Sequence, residues 1–179
     1  MRSPTTPTDL LCFAFAAVAT LAGCADVPTA TLRATELQAS RAGAGATVER
    51  PWKGRCDVET VVTKFGPTGP TEFYQTGTCQ LAHLGRTTVV TNETRVSGGT
   101  AVTSTFTAAN GDLLYTTGFI VATRLPGGIV TLIGTYTAVG GTGRFAGASG
   151  TAVFDETARI DPAGGPTVGA YTLDGRLTY

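Results

Sequence analysis

WKGRCDVETVVTKFGPTGPTEFYQTGTCQLAH, residues 52–83, contains two alternating strand patterns on either side of a Gly-Pro turn, and its register can be read directly. A turn centred between Pro67 and Thr68 sets Cys56 directly opposite Cys79. The same register pairs Val62 with Phe73, Val58 with Gly77, Gly54 with Leu81 and Trp52 with His83 on one mainly apolar face. The other face pairs Arg55 with Gln80, Asp57 with Thr78, Glu59 with Thr76 and Thr63 with Glu72. Side chains on a strand alternate with a period of two, so a slip of one residue would mix the two faces. One register thus accounts for the cysteines and the amphipathic alternation together. It predicts an antiparallel hairpin bridged by a Cys56–Cys79 disulfide, with Glu59 and Glu72 on the outer face.

The pattern continues to the end of the chain. Thr, Val, Tyr and Phe recur in short alternating runs, the composition of half-buried strands. Strands are predicted at 52–65, 71–82, 86–96, 100–109, 112–123, 129–139, 150–160 and 167–178. Gly, Pro and Asn clusters punctuate them, as at Ser97-Gly98-Gly99 and Leu125-Pro126-Gly127-Gly128. Asn110-Gly111 reads as a type I′ turn, with positive φ at both residues. That turn pairs Phe106 with Tyr115, Val102 with Phe119 and Ala108 with Leu113 on the inner face, and Thr105 with Thr116 on the outer one. No amphipathic helix of useful length intervenes, which excludes βαβ folds. The expected fold is all-β: an eight-stranded antiparallel up-and-down β-barrel, because closure removes the unpaired edges. Aromatic side chains inside and threonine outside suit a water-soluble barrel and are the reverse of a membrane-spanning one.

Between the sixth and seventh predicted strands lies Gly140-Gly141-Thr142-Gly143-Arg144-Phe145-Ala146-Gly147-Ala148-Ser149-Gly150. Gly140, Gly141, Gly143, Gly147 and Gly150 permit tight turns and close chain approach around one large apolar residue, Phe145. Arg144 reads as a cation that fixes the loop. The run resembles the GGTGxFxGAxG signature of bacterial proteins similar to the allene oxide cyclase and dirigent barrels. The resemblance spans about 52–179, with specific residues at 140–150 and weaker support from Phe106 to Tyr115. It implies a small eight-stranded barrel and no particular reaction, since this superfamily includes both enzymes and scaffolds. The plant cyclases close an epoxide-derived fatty acid with the help of a buried carboxylate, and the inner face of the first hairpin carries none.

The N-terminus points to export. Arg2 precedes an apolar run, Leu10 to Leu21, that is too short to span a bilayer as a mature helix. The run ends in Leu21-Ala22-Gly23-Cys24, which resembles a bacterial lipobox, with Cys24 as the lipidated residue. The alternative is cleavage after Ala25, releasing a soluble exported protein. The expected organisation is a lipoprotein signal peptide at 1–23, a disordered tether at 24–49 and the β-barrel domain at 50–179. The tether is rich in Ala, Thr, Ser and Gly and has little apolar surface to dock. Membrane attachment through the N-terminal lipid follows, at the cell envelope. With Ala25 and not Asp after Cys24, the outer membrane is the expected destination in a host with two membranes. Cys12 leaves with the signal peptide, and the remaining pair, Cys56 and Cys79, suits an oxidising compartment.

Charge and composition exclude several functions. The chain carries 13 Lys and Arg against 13 Asp and Glu, for a net charge of +0. It has no basic stripe, which argues against nucleic acid as a partner. A single histidine rules out a metal site built on several imidazoles, and no metal or cofactor is expected. Gly141 to Ala146 matches the dinucleotide fingerprint only nominally, without the helix that must follow it. Ser149 does not lie in a nucleophile elbow. Asp155 and Glu156 are neighbours on a strand, point to opposite faces and form no catalytic pair. Asn92-Glu93-Thr94 reads as plain strand. Trp52, His83, Phe106 and Tyr115 are the candidates for the barrel mouth or interior, with His83 stacked on Trp52 in a structural role. Three functions fit this inventory. The first is a non-catalytic envelope lipoprotein whose barrel binds a small apolar ligand or serves as a stable module. The second is a cyclase-like or isomerase-like enzyme using interior polar groups. The third is a dirigent-like interaction module acting as a homo-oligomer.

Overall fold

β-branched side chains are stiff at χ1 and pack well on a pleated surface, so a chain this rich in Thr and Val favours extended backbone. The computed structural model describes residues 47–65 and 71–179. The predicted signal peptide, Cys24, nearly all of the predicted tether and the turn at Pro67-Thr68 lie outside the described residues. Eight strands follow in order: β1 (Glu49–Lys64), β2 (Glu72–Leu81), β3 (Gly85–Val96), β4 (Gly99–Ala108), β5 (Leu113–Leu125), β6 (Ile129–Gly141), β7 (Ser149–Arg159) and β8 (Thr167–Thr178). Each pairs antiparallel with the next, and β8 returns to β1 to close the barrel. β1 begins at Glu49, so the last residue assigned to the tether is already sheet.

The β1–β2 register is the one read from the sequence over most of its length. Cys56 faces Cys79 and the two are joined by a disulfide. A cross-link at this sequence separation of 23 is worth about 3 kcal/mol in the chain-entropy account. Two details differ. A bulge after Val62 puts Lys64, not Thr63, opposite Glu72, and the two make an ion pair at 3.0 Å. At the other end β2 stops at Leu81, so Trp52 and His83 do not pair. Trp52 is fully buried, whereas His83 is exposed in the turn at φ 62. The cause is the tight 82–84 turn, which takes His83 out of the strand and ends the alternation.

The second hairpin is one residue out of the expected register. Phe106 pairs with Leu114, Thr105 with Tyr115 and Val102 with Gly118. The Gly111 amide donates to the Ala108 carbonyl, and the Ala108 amide to that of Asp112, forming a three-residue loop. Gly111 has φ 87 and Asn110 is not at positive φ, so a type I turn plus one left-handed glycine replaces the type I′ turn. Moving one residue reverses every side chain of β5. Leu114, Thr116 and Ile120 are therefore buried, while Tyr115 and Phe119 are on the outside.

Aromatic rings fill the middle of the barrel. Trp52, Phe106, Tyr136, Phe154 and Tyr171 form a continuous chain of ring pairs with centroids 4.7 to 6.1 Å apart. Each well-oriented pair adds about 0.5–1.5 kcal/mol beyond its buried area. Small inward positions make the room. At Gly118 a Cβ would lie 2.9 Å from the Tyr136 ring and closer still to the Thr135 carbonyl.

The two ends of the barrel differ. The end where β1 starts is sealed by the 142–148 loop. Its Phe145 is fully buried and meets the Tyr179 ring edge-on at 4.9 Å. Gly140 and Gly141 complete β6 and Gly150 lies in β7, while Gly143 and Gly147 turn the loop at φ 55 and 76. Gly143 packs against the Asp112 carboxylate, where a side chain would collide. Arg144 lies 4.7 Å from the Phe145 ring centroid and 3.8 Å from Asp112 Oδ2, and its amide donates to the same carboxylate. Among the described residues nothing closes the opposite end, where β1 finishes and β2 begins.

Candidate functional site

At the open end the inward positions change from aromatic to polar. On β3 the inward residues run Val89, Thr91, Glu93, Arg95 toward the mouth, and on β7 they run Phe154, Glu156, Ala158. Parity alone carries each glutamate inside: Glu93 follows Val89 and Thr91, and Glu156 follows Ala152 and Phe154. β3 and β7 sit four strands apart in the closed order, on opposite walls of the barrel. The two carboxyl groups thus approach each other across the interior. Glu93 is 7% and Glu156 2% exposed.

Between them lies a cavity of about 290 Å³. Its polar lining is Gln75, Thr60, Thr100 and the two glutamates. Val62, Phe73, Val130 and Leu132 form apolar walls, and Arg95 and Arg124 stand at the rim. A wider vestibule of about 650 Å³ continues outward past Phe73, Arg95, Arg124 and Ile160. The hollow around Arg55, Asp57 and Arg159 lies on the outer wall and reaches neither glutamate nor Gln75.

The polar groups form a partly satisfied network. Gln75 Nε2 donates to Thr60 Oγ1 at 3.1 Å and to Glu156 Oε2 at 3.4 Å. Gln75 Oε1 is buried with no partner among the described residues. Thr91 and Ser104 share a buried hydrogen bond of 2.8 Å. Neither glutamate forms an ion pair within 4.0 Å among the described residues. Burial pushes Glu93 up to about 7, partly offset by the Arg95 guanidinium. Burial and then the charge of Glu93 push Glu156 up to about 7, with the Gln75 amide opposing. Tyr136 and Tyr171 are raised above the ordinary phenol range, first by burial.

The residues chosen from sequence have other places. Trp52 and Phe106 belong to the aromatic core, Tyr115 is on the outer wall, and His83 is at the sealed end beside Arg50, Arg144 and Tyr179. None of the four reaches the cavity. The disulfide lies deeper, with Cys79 Sγ 3.9 Å from the Tyr171 hydroxyl. Among the described residues no group of three or more His, Cys, Asp and Glu is arranged to hold a metal ion. In the sequence Glu93 reads as plain strand, and Asp155-Glu156 reads as no catalytic pair because the two face opposite ways. That geometry is correct, with Asp155 exposed and Glu156 buried, but it also means that one of them must point inward.

No family model matches the chain, and no curated protein matches it. Among solved structures it is similar to the pterocarpan synthase dirigent protein GePTS1. The identity is 13% and the TM-score 0.46, over 73% of this chain and 86% of that one.

Proposed function

We propose that this chain is an exported binding barrel, anchored through lipid on Cys24, that holds one small amphipathic molecule in its open end. The carrying observation is the cavity with apolar walls, two buried glutamates and the unpartnered Gln75 carbonyl. Unpaired buried polar groups are costly, and a ligand that satisfies them offsets that cost. Ligand pockets combine apolar walls with a few convergent polar groups in the same way. The Leu21-to-Cys24 motif supports the anchoring.

A second reading is acid–base catalysis, in the manner of a cyclase or isomerase. It draws on the glutamates raised to about 7, because a carboxyl poised near neutrality can give or take a proton in a reaction. Binding is the premise of both readings. The test is native mass spectrometry of the full chain exported in a bacterial host, together with titration of an apolar fluorescent probe. The expected spectrum shows a lipid on Cys24 and a small-molecule adduct. Cys24→Ser loses the lipid and keeps the adduct, and Ala158→Trp fills the cavity and loses the adduct. If the wild type holds no adduct and takes up no probe, or if Ala158→Trp binds as well as the wild type, the binding reading fails. An unlipidated Cys24 refutes the anchor alone.

A further inference from the structure

The cavity is stratified by charge. Resting on the binding reading above, we propose that its ligand is a small zwitterion, with an ammonium group seated at Glu93 and Glu156, an apolar body, and a carboxylate at Arg95 and Arg124. Three observations carry this. First, the inner end offers acceptors. The Gln75 amide nitrogen is already committed to Thr60 and Glu156, and what remains is Gln75 Oε1, the glutamate oxygens and the Thr60 and Thr100 hydroxyls, all of which can accept. An ammonium supplies three donors and no acceptor, which complements that set. It also places a positive charge where two carboxyls now face each other without an ion-pair partner, in a setting where unpaired charge is expensive.

Second, two guanidinium groups stand at the rim of the cavity, and the one carboxylate farther out in the vestibule, Asp161, already accepts from the Ala163 and Gly165 amides. Arg95 and Arg124 are at inward register positions at the mouth ends of β3 and β5, and both side chains remain exposed. Guanidinium groups prefer carboxylate oxygens in a paired geometry. The arginines would repel a simple amine on entry but not a molecule that brings its own anion. Third, the dimensions are consistent. Arg95 is one inward step beyond Glu93, about 7 Å along the strand. The cavity of about 290 Å³ holds about ten water-sized groups. Phe73 pairs with Glu93 and Leu132 with Glu156, and with Val62 they line the cavity beside the glutamates, so the body of the ligand is apolar.

The experiment is calorimetric titration of the full chain at pH 7 with four probes: 4-(aminomethyl)benzoate, benzylamine, 4-methylbenzoate and 4-methylbenzyl alcohol. The first should bind roughly tenfold or more tightly than each of the others, the scale of one charge-assisted contact. Its binding should release protons as the glutamates ionise against the ammonium, read from the dependence of the heat on buffer. The groups facing the pair are Arg95 from β3, Arg124 from β5, Tyr136 from β6 and Tyr171 from β8. Glu156→Gln should reduce the affinity for 4-(aminomethyl)benzoate to that for 4-methylbenzoate, and Arg124→Gln to that for benzylamine. If 4-methylbenzoate or the alcohol binds as tightly as the zwitterion, the inference is overturned and the binding reading stands. If no probe binds, the inference is also overturned, and the Ala158→Trp comparison judges the binding reading separately.

Discussion

Replacing Glu156 with Gln should make the barrel more stable at pH 8, with the gain shrinking toward pH 5 and vanishing only below about pH 4.5. The carboxyl is held at about 7 in the folded state against an ordinary 4.5. The folded protein therefore binds more protons than the unfolded chain between those values, and stability must fall as pH rises through that window. It is highest below about 4.5 and levels off above about 7. Raising one carboxyl that far corresponds to about 3 kcal/mol. The total for both glutamates is less than twice this figure, because part of the Glu156 shift is repulsion from Glu93 and disappears when either is removed. Gln matches Glu in shape and still accepts from Gln75 Nε2, so no cavity forms and the existing hydrogen bond survives. A gain near 3 kcal/mol would raise the melting temperature by about 10 °C for a domain of this size. Trp52 is the only tryptophan and is fully buried, which makes its fluorescence a clean reporter in urea titrations from pH 5 to pH 8. The wild type should lose stability across the range, and the variant should keep at least half of what the wild type loses. If the wild type is flat or gains stability toward pH 8, the two carboxyls are not buried as described and the reasoning fails.

Phe145→Ala should cost about 3–5 kcal/mol, because the ring is fully buried under the sealed end and its loss opens a void; urea unfolding measures it, and a cost below about 1 kcal/mol would mean that the loop does not plug the barrel. The β5 register can be tested by comparing neighbours. Leu114→Ser should be strongly destabilising, whereas Tyr115→Ser should stay within about 0.5 kcal/mol, since only Leu114 is buried. The opposite ranking would restore the type I′ hairpin.

Local sequence contained the β1–β2 register from Gly54 to Val62 because two independent signals coincide there. The cysteines fix which residues oppose, and charged residues on one face against apolar ones on the other fix which way they point. β5 lacks both signals. Leu113, Leu114, Tyr115, Phe119, Ile120 and Val121 put large apolar groups on both faces, so alternation does not distinguish two registers one residue apart. Asn110-Gly111 does not distinguish them either, since Gly111 takes positive φ in both turn types. Pairing with β4 and β6 in the closed sheet made that choice.

The candidate site was less legible for a related reason. By itself the sequence determined that the chain is a series of antiparallel strands with one disulfide, since strand periodicity and turn chemistry are local. It also held the parity that turns Glu93 and Glu156 inward. Their separation of more than sixty positions gave no sign that they share a cavity, and charged residues on strands face solvent by default. Only closure of β8 on β1 sets β3 opposite β7 and brings the two carboxyls together in a space that water cannot freely solvate. Their raised affinity for protons comes from that enclosure, which is a property of the tertiary structure and of no segment within it.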